Sequence, residues 1–414
     1  MRLQLRKILV LGLTLNLGVS LTIGILFVFG GQNAAKAAPA AVVRVCPSCR
    51  NTTIQEAVDE AQPNDLIQVA SGTYSDIHFR GGVTQVVYIS KPLTIQGGYV
   101  VGDWSTPDPE ANPTIINAGG QGRGIFVTGN YTVTIDGFEI TQGDAADLGG
   151  EPYGTDYDFG GGVYVYANQT GFTIQNCLIH HNTAERGAGM YLYFVSPTVI
   201  QNNVFYSNTA VVLGGGFHSN DIHADVTGNI FKENSAGWNG GGINLFDSSV
   251  VFINNVLMNN KANVSGGGVY ASLSAADMIH TTIINHSGSS PDSGSGLYLQ
   301  SSSVFTLTNT IIAYNQLGVG IDAGVELNMN STLWYGNLIN SSISGNFTTV
   351  NDYYLDPKFK PDGYHLSPQS GAKDLGIDAG VDWDIDGDPR PMHSGFDLGA
   401  DEIPYGVYIP LVMK

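Results

Sequence analysis

Cysteine and cationic side chains are scarce in this chain. Three cysteines in 414 residues exclude a disulfide-dense scaffold. Two of them, Cys46 and Cys49, form a lone CPSC with no second ligand pair at zinc-site spacing. In an exported chain that motif reads as a small local disulfide or as two free thiols. Cys177, in TIQNCLIH, reads as a small buried hydrophobe. Only 17 Lys and Arg oppose 36 Asp and Glu, a net charge of −19. A surface of that sign repels nucleic acid and anionic lipid, so nucleic acid is excluded as a partner. Long helical periodicity is also missing from the middle of the chain, where Gly, Asn, Ser, Thr and Val dominate.

One long apolar run exists, over residues 8–29, with Arg2, Arg6 and Lys7 before it and AAKAAPA after it. Residues 1–40 read as a secretory signal cleaved near Ala37 or Ala40. The run also has the length of a bilayer span, so an uncleaved anchor is the alternative, and only then is a membrane a partner. The chain is expected at the cell surface or outside the cell, as a monomer.

What the sequence has in abundance is repetition. Small-residue clusters centre on Gly161, Ala188, Gly215, Gly241, Gly267 and Ser295, at spacings of 27, 27, 26, 26 and 28. Each is followed by an apolar residue (Val163, Met190, Phe217, Ile243, Val269, Leu297) and then by Tyr164, Tyr191, His218, Asn244, Tyr270 or Tyr298. A period of two puts the first set on one face of a strand and the second set on the other. A second strand and a short third follow in each repeat, closed by Asn182, Asn208, Asn234 and Asn260 at intervals of 26. One such unit cannot bury its apolar face alone, but a stack can. The pattern predicts an all-β, single-stranded, right-handed parallel β-helix over residues 65–350. It would have three strands per coil and roughly ten to twelve coils about 4.8 Å apart. Asparagines at one rung position would then form a hydrogen-bonded file.

Exposed strand edges at a solenoid end need a cap. Residues 41–64 supply one: Thr53 and Glu56 form a capping box, and Ile54, Ala57, Val58 and Ala61 line one side of a two-turn helix. Residues 51–75 resemble the N-terminal entry of pectin-lyase-like β-helix proteins, with a short helix before the first strand and a GTY turn. Residues 351–403 carry YHLSPQSGAKDLG, DIDGDPRP and DLGADE and resemble the choice-of-anchor Q segment that ends many exported bacterial β-helix proteins. That resemblance implies a C-terminal cap segment ahead of a tail, here residues 404–414, that serves in surface sorting or as a capping strand. The enzymes among pectin-lyase-like relatives carry a calcium-binding Asp group with an arginine base, or NTD, DD and GHG elements, and none of these is found in this sequence.

Three sets of side chains are candidates for chemistry. Tyr164, Tyr191, His218, Asn244, Tyr270 and Tyr298 should line one outer face, flanked by Tyr166, Tyr193 and Phe246. Flat rings with polar edges suit sugar rings, although aromatic stacking alone stabilises neighbouring strands. Beside them, Asp158 and Glu185 lie 27 apart, hence on adjacent coils, with Arg186 and Trp238 near the same rim. Two carboxylates about 5 Å apart would fit a retaining glycosidase. The adjoining loop adds Asp144, Asp147, Glu151 and Asp156. Finally, Asp382, Asp384, Asp386 and Asp388 alternate around Gly387, a pattern that suits Ca2+ or else a solvated turn braced by Arg390. The reading that follows is an exported β-helix protein that binds or displays on a polysaccharide or cell-surface glycan. The alternative is a polysaccharide lyase or glycoside hydrolase acting through Asp158 and Glu185 or through another site.

Overall fold

The computed structural model describes residues 41–148, 158–292 and 294–404, together with the paired dipeptides Leu11–Gly12 and Gly24–Ile25. Apart from those two dipeptides, the expected signal segment lies outside the described residues, as do the loop acids Glu151 and Asp156 and tail residues 405–414. Met1–Pro39 and Ala40–Lys414 are separate units.

The second unit winds as an all-β, right-handed parallel solenoid of about 11 turns. Strands of one face pair in register with the same face one turn away. On the first face Val163, Met190, Phe217, Ile243, Val269 and Leu297 form one column, as the repeat required. Their side chains are fully buried. The second face adds the file Ile174, Ile200, Val226, Phe252, Met278 and Leu307. The third adds Ile179, Phe205, Phe231 and Leu257, with Phe205 and Phe231 stacked at 4.6 Å. These columns make one continuous core. A fourth short sheet, beyond the three strands expected per coil, comprises Thr183–Arg186, Thr209–Leu213, Ser235–Ala236, Lys261–Ala262 and Ser287–Gly288.

Each coil also closes polar groups inside. Asn182, Asn208, Asn234 and Asn260 are buried and hydrogen-bonded one to the next. A second file of Asn203, Asn229 and Asn255 runs at another corner. Inward amides are tolerated because each is paired along the stack.

The N-terminal end is covered by helix α1, Ile54–Glu60, with the Thr53/Glu56 capping box formed. Ile54, Ala57 and Val58 join the core. Cys46 and Cys49 are bonded to each other. Cys177 is buried, and burial pushes its thiol up to about 12. Residues 354–403 contain almost no regular structure. The segment packs along the side of the solenoid, where Leu366, Ala372, Leu398 and Ile403 cover Ile284, Ile311, Ala313 and Leu333. Asn309 Nδ2 donates to Ile377 O, and Ala400 N donates to Thr282 Oγ1. Among the described residues, no helix is long and apolar enough to cross a membrane.

Candidate functional site

The tyrosine column exists in register but does not form an open surface. Tyr164, Tyr191, His218 and Asn244 succeed one another on the outer side of the first face, yet all four are buried. A glycine corner lies just before each of them. Gly160, Gly187, Gly214 and Gly240 adopt φ between 60° and 68°, and the chain there lies directly on the following strand. A Cβ placed on Gly160 would stand 2.7 Å from the Tyr164 Cβ, and one on Gly214 2.6 Å from the His218 Cβ. Phe159 then stacks on Tyr191 at 4.5 Å. Arg123, fully buried, sits 5.6 Å from the Tyr164 ring and donates Nε–H to Phe159 O at 2.7 Å. Burial lowers its pKa to about 10. His218 is held neutral: burial first, and then Arg186, push its pKa down to about 3. The expectation that these four side chains meet a ligand is therefore corrected. Tyr270 and Tyr298 are half-buried and stacked at 6.3 Å, with Tyr298 Oη donating to Asp322.

Asp158 and Glu185 do lie one rung apart. Glu185 N and Arg186 N both donate to Asp158 O, at 3.0 and 3.1 Å. Asp158 Oδ2 accepts from Asp147 N at 2.9 Å, which ties this carboxylate to its own loop. Trp238 stands out at 59% exposure.

The Asp382–Asp388 set does not converge on one cation. Asp384 is buried, and its two oxygens accept the amides of Asp386, Asp388 and Glu402. Burial raises its pKa. Arg390 pairs with Glu402 rather than with this set, at 2.9 Å and wholly inside. Asp386 instead turns to His365. Among the described residues the one grouping with metal-ligand geometry is His365, Asp386 and Asp401.

An open groove lies elsewhere, at the corner that joins the first face to the second. Three residues past each ladder position the chain enters the left-handed region, at Ala167, Phe194, Asp221, Asp247, Leu273 and Ser301. These corners stack, and all of them but Ser301 line two confluent clefts. One, of about 500 Å³, is lined by Asn130, Ala167, Gln169, Phe194, Ser196, Asp221 and His223. The other, of about 320 Å³, continues from Asp221 and His223 past Asp247, Leu273 and Ser302 to Val304. Over six coil intervals the groove runs roughly 29 Å, parallel to the solenoid axis. Phe194 is 40% exposed and Leu273 48%. Gln169 Nε2 donates to Phe194 O and Gln169 N donates to Asn130 Oδ1, which braces the upper wall. No Lys or Arg lines either cleft. The groove was legible only as a period. Its residue types vary from Ala to Phe to Asp, because a left-handed corner selects for backbone conformation and not for side-chain chemistry.

A right-handed stack of parallel strands, with paired amides inside and a groove along one corner, is the parallel β-helix class of protein. Consistent with it, the family model described as "Right handed beta helix region" matches residues 111–287. No curated protein matches the chain. Among solved structures, pectate lyase Pel9A is 16% identical, with 88% of this chain and 97% of that one covered and a TM-score of 0.46. The mannuronan C-5 epimerase AlgE4 A-module of Azotobacter vinelandii is 12% identical, with coverages of 69% and 91% and a TM-score of 0.32. The pectin methylesterase from Aspergillus niger is 11% identical, with coverages of 76% and 87% and a TM-score of 0.25. Likeness at this level leaves activity open.

Proposed function

We propose that this protein is an exported β-helix that holds an extended, neutral glycan along its corner groove without cleaving it. The observation that carries the reading is the groove itself: continuous over several coils, lined by apolar surface, amides and hydroxyls, and free of Lys and Arg. Sugar rings pack their apolar faces on such surface and take hydrogen bonds from amides and hydroxyls. Asp221 and Asp247 in the lining disfavour a polyuronate, which would bring like charge to an acidic chain. The Cys46–Cys49 bond accords with an oxidising compartment. In this reading residues 351–403 belong to a surface-anchoring arrangement, in keeping with their sequence resemblance.

Affinity electrophoresis of the purified chain in gels containing xylan, mannan, β-glucan, polygalacturonate or alginate tests it. Retardation by a neutral polymer, relieved in Phe194→Ala, is expected. Retardation by polyuronates alone, or release of new reducing ends or unsaturated uronates, overturns it. In the second case loss of product in Glu185→Gln would assign the chemistry to the Asp158–Glu185 rung.

A further inference from the structure

The lateral C-terminal segment buries four carboxylates, Asp384, Asp397, Asp401 and Glu402, around a single buried cation, Arg390. Three of the four are saturated. Asp384 accepts three amides. Asp397 accepts those of Asp374 and Ile403. Glu402 accepts those of Met392 and Asp397 and pairs with Arg390. Asp401 differs. Its Oδ2 accepts from Leu366 N at 2.6 Å, while its Oδ1 accepts no hydrogen bond, although the residue is only 2% exposed. That oxygen is not sealed from solvent, so it is open to a cation.

The neighbours of Asp401 supply the rest of a coordination set. One ligand atom each from His365, Asp386 and Asp401 lies within 4.8 Å of the other two. His365 Nε2 is 2.8 Å from Asp386 Oδ2. The other ring nitrogen, Nδ1, is 2.9 Å from Asp362 Oδ2, and Asp362 is itself fixed by the amides of Tyr364 and His365. With Nδ1–H donating to Asp362, the Nε2 lone pair faces the two carboxylates. This is how a carboxylate orients a metal-bound imidazole.

We propose that His365 Nε2, Asp386 and Asp401 bind a divalent transition-metal ion, with zinc as the test ion. Imidazole with two carboxylates suits Zn2+ or Mn2+, whereas Ca2+ takes oxygen ligands. The Asp386 side chain is 50% exposed, which leaves room for water in the remaining positions. The ion ties together three turns of a segment that has almost no strand or helix of its own, and it stabilises the folded state by binding to that state alone. The site uses one residue of the Asp382–Asp388 set, Asp386, and none of the other three.

The test is calorimetric titration of the metal-free full chain with Zn2+, Mn2+ and Ca2+, with thermal melting followed in parallel. One Zn2+ per chain and a raised melting temperature are expected. Asp386→Asn should bind at least ten-fold more weakly. Asp362→Asn, which keeps all three ligands, should bind about 10- to 100-fold more weakly through loss of imidazole orientation. Both residues are exposed, and circular dichroism verifies that each variant folds. Absence of saturable Zn2+ binding would mean an ion-pair network around a protonated His365 and would overturn the proposal. Zn2+ binding unchanged in both variants, or Ca2+ binding tighter than Zn2+, would overturn it as well.

Discussion

Asn208 and Asn234 are one residue repeated a coil apart: the main-chain N and the Nδ2 of Asn208 both donate to Asn234 Oδ1, each at 3.0 Å. Asn208 Nδ2 also donates to Ile179 O, and Asn208 Oδ1 receives the same pair of bonds from Asn182. Asn208→Ala would leave two Asn182 donors without partners inside the core. A loss of about 3 kcal/mol is expected, from the desolvation of groups left unpaired. Urea unfolding followed by circular dichroism measures it. Asn208→Asp should be as harmful, because the Nδ2 donations vanish and a charge is buried.

The glycine corners separate two costs. Gly324 has φ of 84° with nothing within 4 Å of a built Cβ. Gly324→Ala should therefore lose only about 1 kcal/mol, for the left-handed backbone. Gly240 has φ of 68°, and its Cβ would meet Ile243 O at 2.5 Å and Asn244 Cβ at 2.7 Å. Gly240→Ala should lose several times as much or fail to fold. Equal losses in the two variants would show that corner contact is unimportant.

Aromatic residues should divide by burial. Tyr191→Ala removes a buried ring stacked with Phe159, Tyr193 and His218 and is expected to cost about 3 to 5 kcal/mol of stability. Phe194→Ala, at an exposed corner, should leave the melting temperature within a few degrees and weaken retention by a neutral glycan several-fold. A comparison of melting curves with affinity gels distinguishes the two. Loss of retention in Tyr191→Ala at unchanged stability would contradict the burial described above.

The pH response should have two opposed parts. Burial pushes the pKa values of His218, His280 and His286 down to about 3. Their folded forms bind fewer protons than the unfolded chain, so the stability they contribute is present above about pH 6.5 and is lost as pH falls toward 3. Each adds a slope of about 1.4 kcal/mol per pH unit in that window. His286 holds an asparagine position in the file, between Asn260 and Asn315. His286→Asn should therefore flatten the acid limb of the stability curve. Asp401 acts in the other direction. Burial raises its carboxyl to about 6, so its contribution is complete below about pH 4 and is lost as pH rises through 6. Urea midpoints between pH 3 and 8 for the native chain and for His286→Asn resolve both parts.

Much of the architecture was legible because the repeat is a physical requirement. A rung must place an apolar residue inward where the rung below has one, and an inward amide survives only if its copy lies beside it. Val163, Met190 and Phe217, and Asn182, Asn208 and Asn234, therefore declare themselves at intervals of 26 and 27. Helix α1 was legible from Thr53, Glu56 and one apolar stripe. The fourth short sheet was not, because Ala184, Ala210 and Ala236 occupy it with side chains too small to show a pattern.

Tertiary structure alone decided which outward residues meet solvent. Alternation along a strand tells inside from outside the coil, and it says nothing of what another segment lays over the outside. Arg123 lies over the Tyr164 ring and Phe159 and His218 stack on Tyr191, while Phe194 stays open. The C-terminal segment covers Ile311 and Leu333 and brings His365, Asp386 and Asp401 together from three separate turns. Local periodicity determines a coil because neighbouring rungs repeat the same contacts. Contacts between segments that share no repeat leave no such trace in the chain.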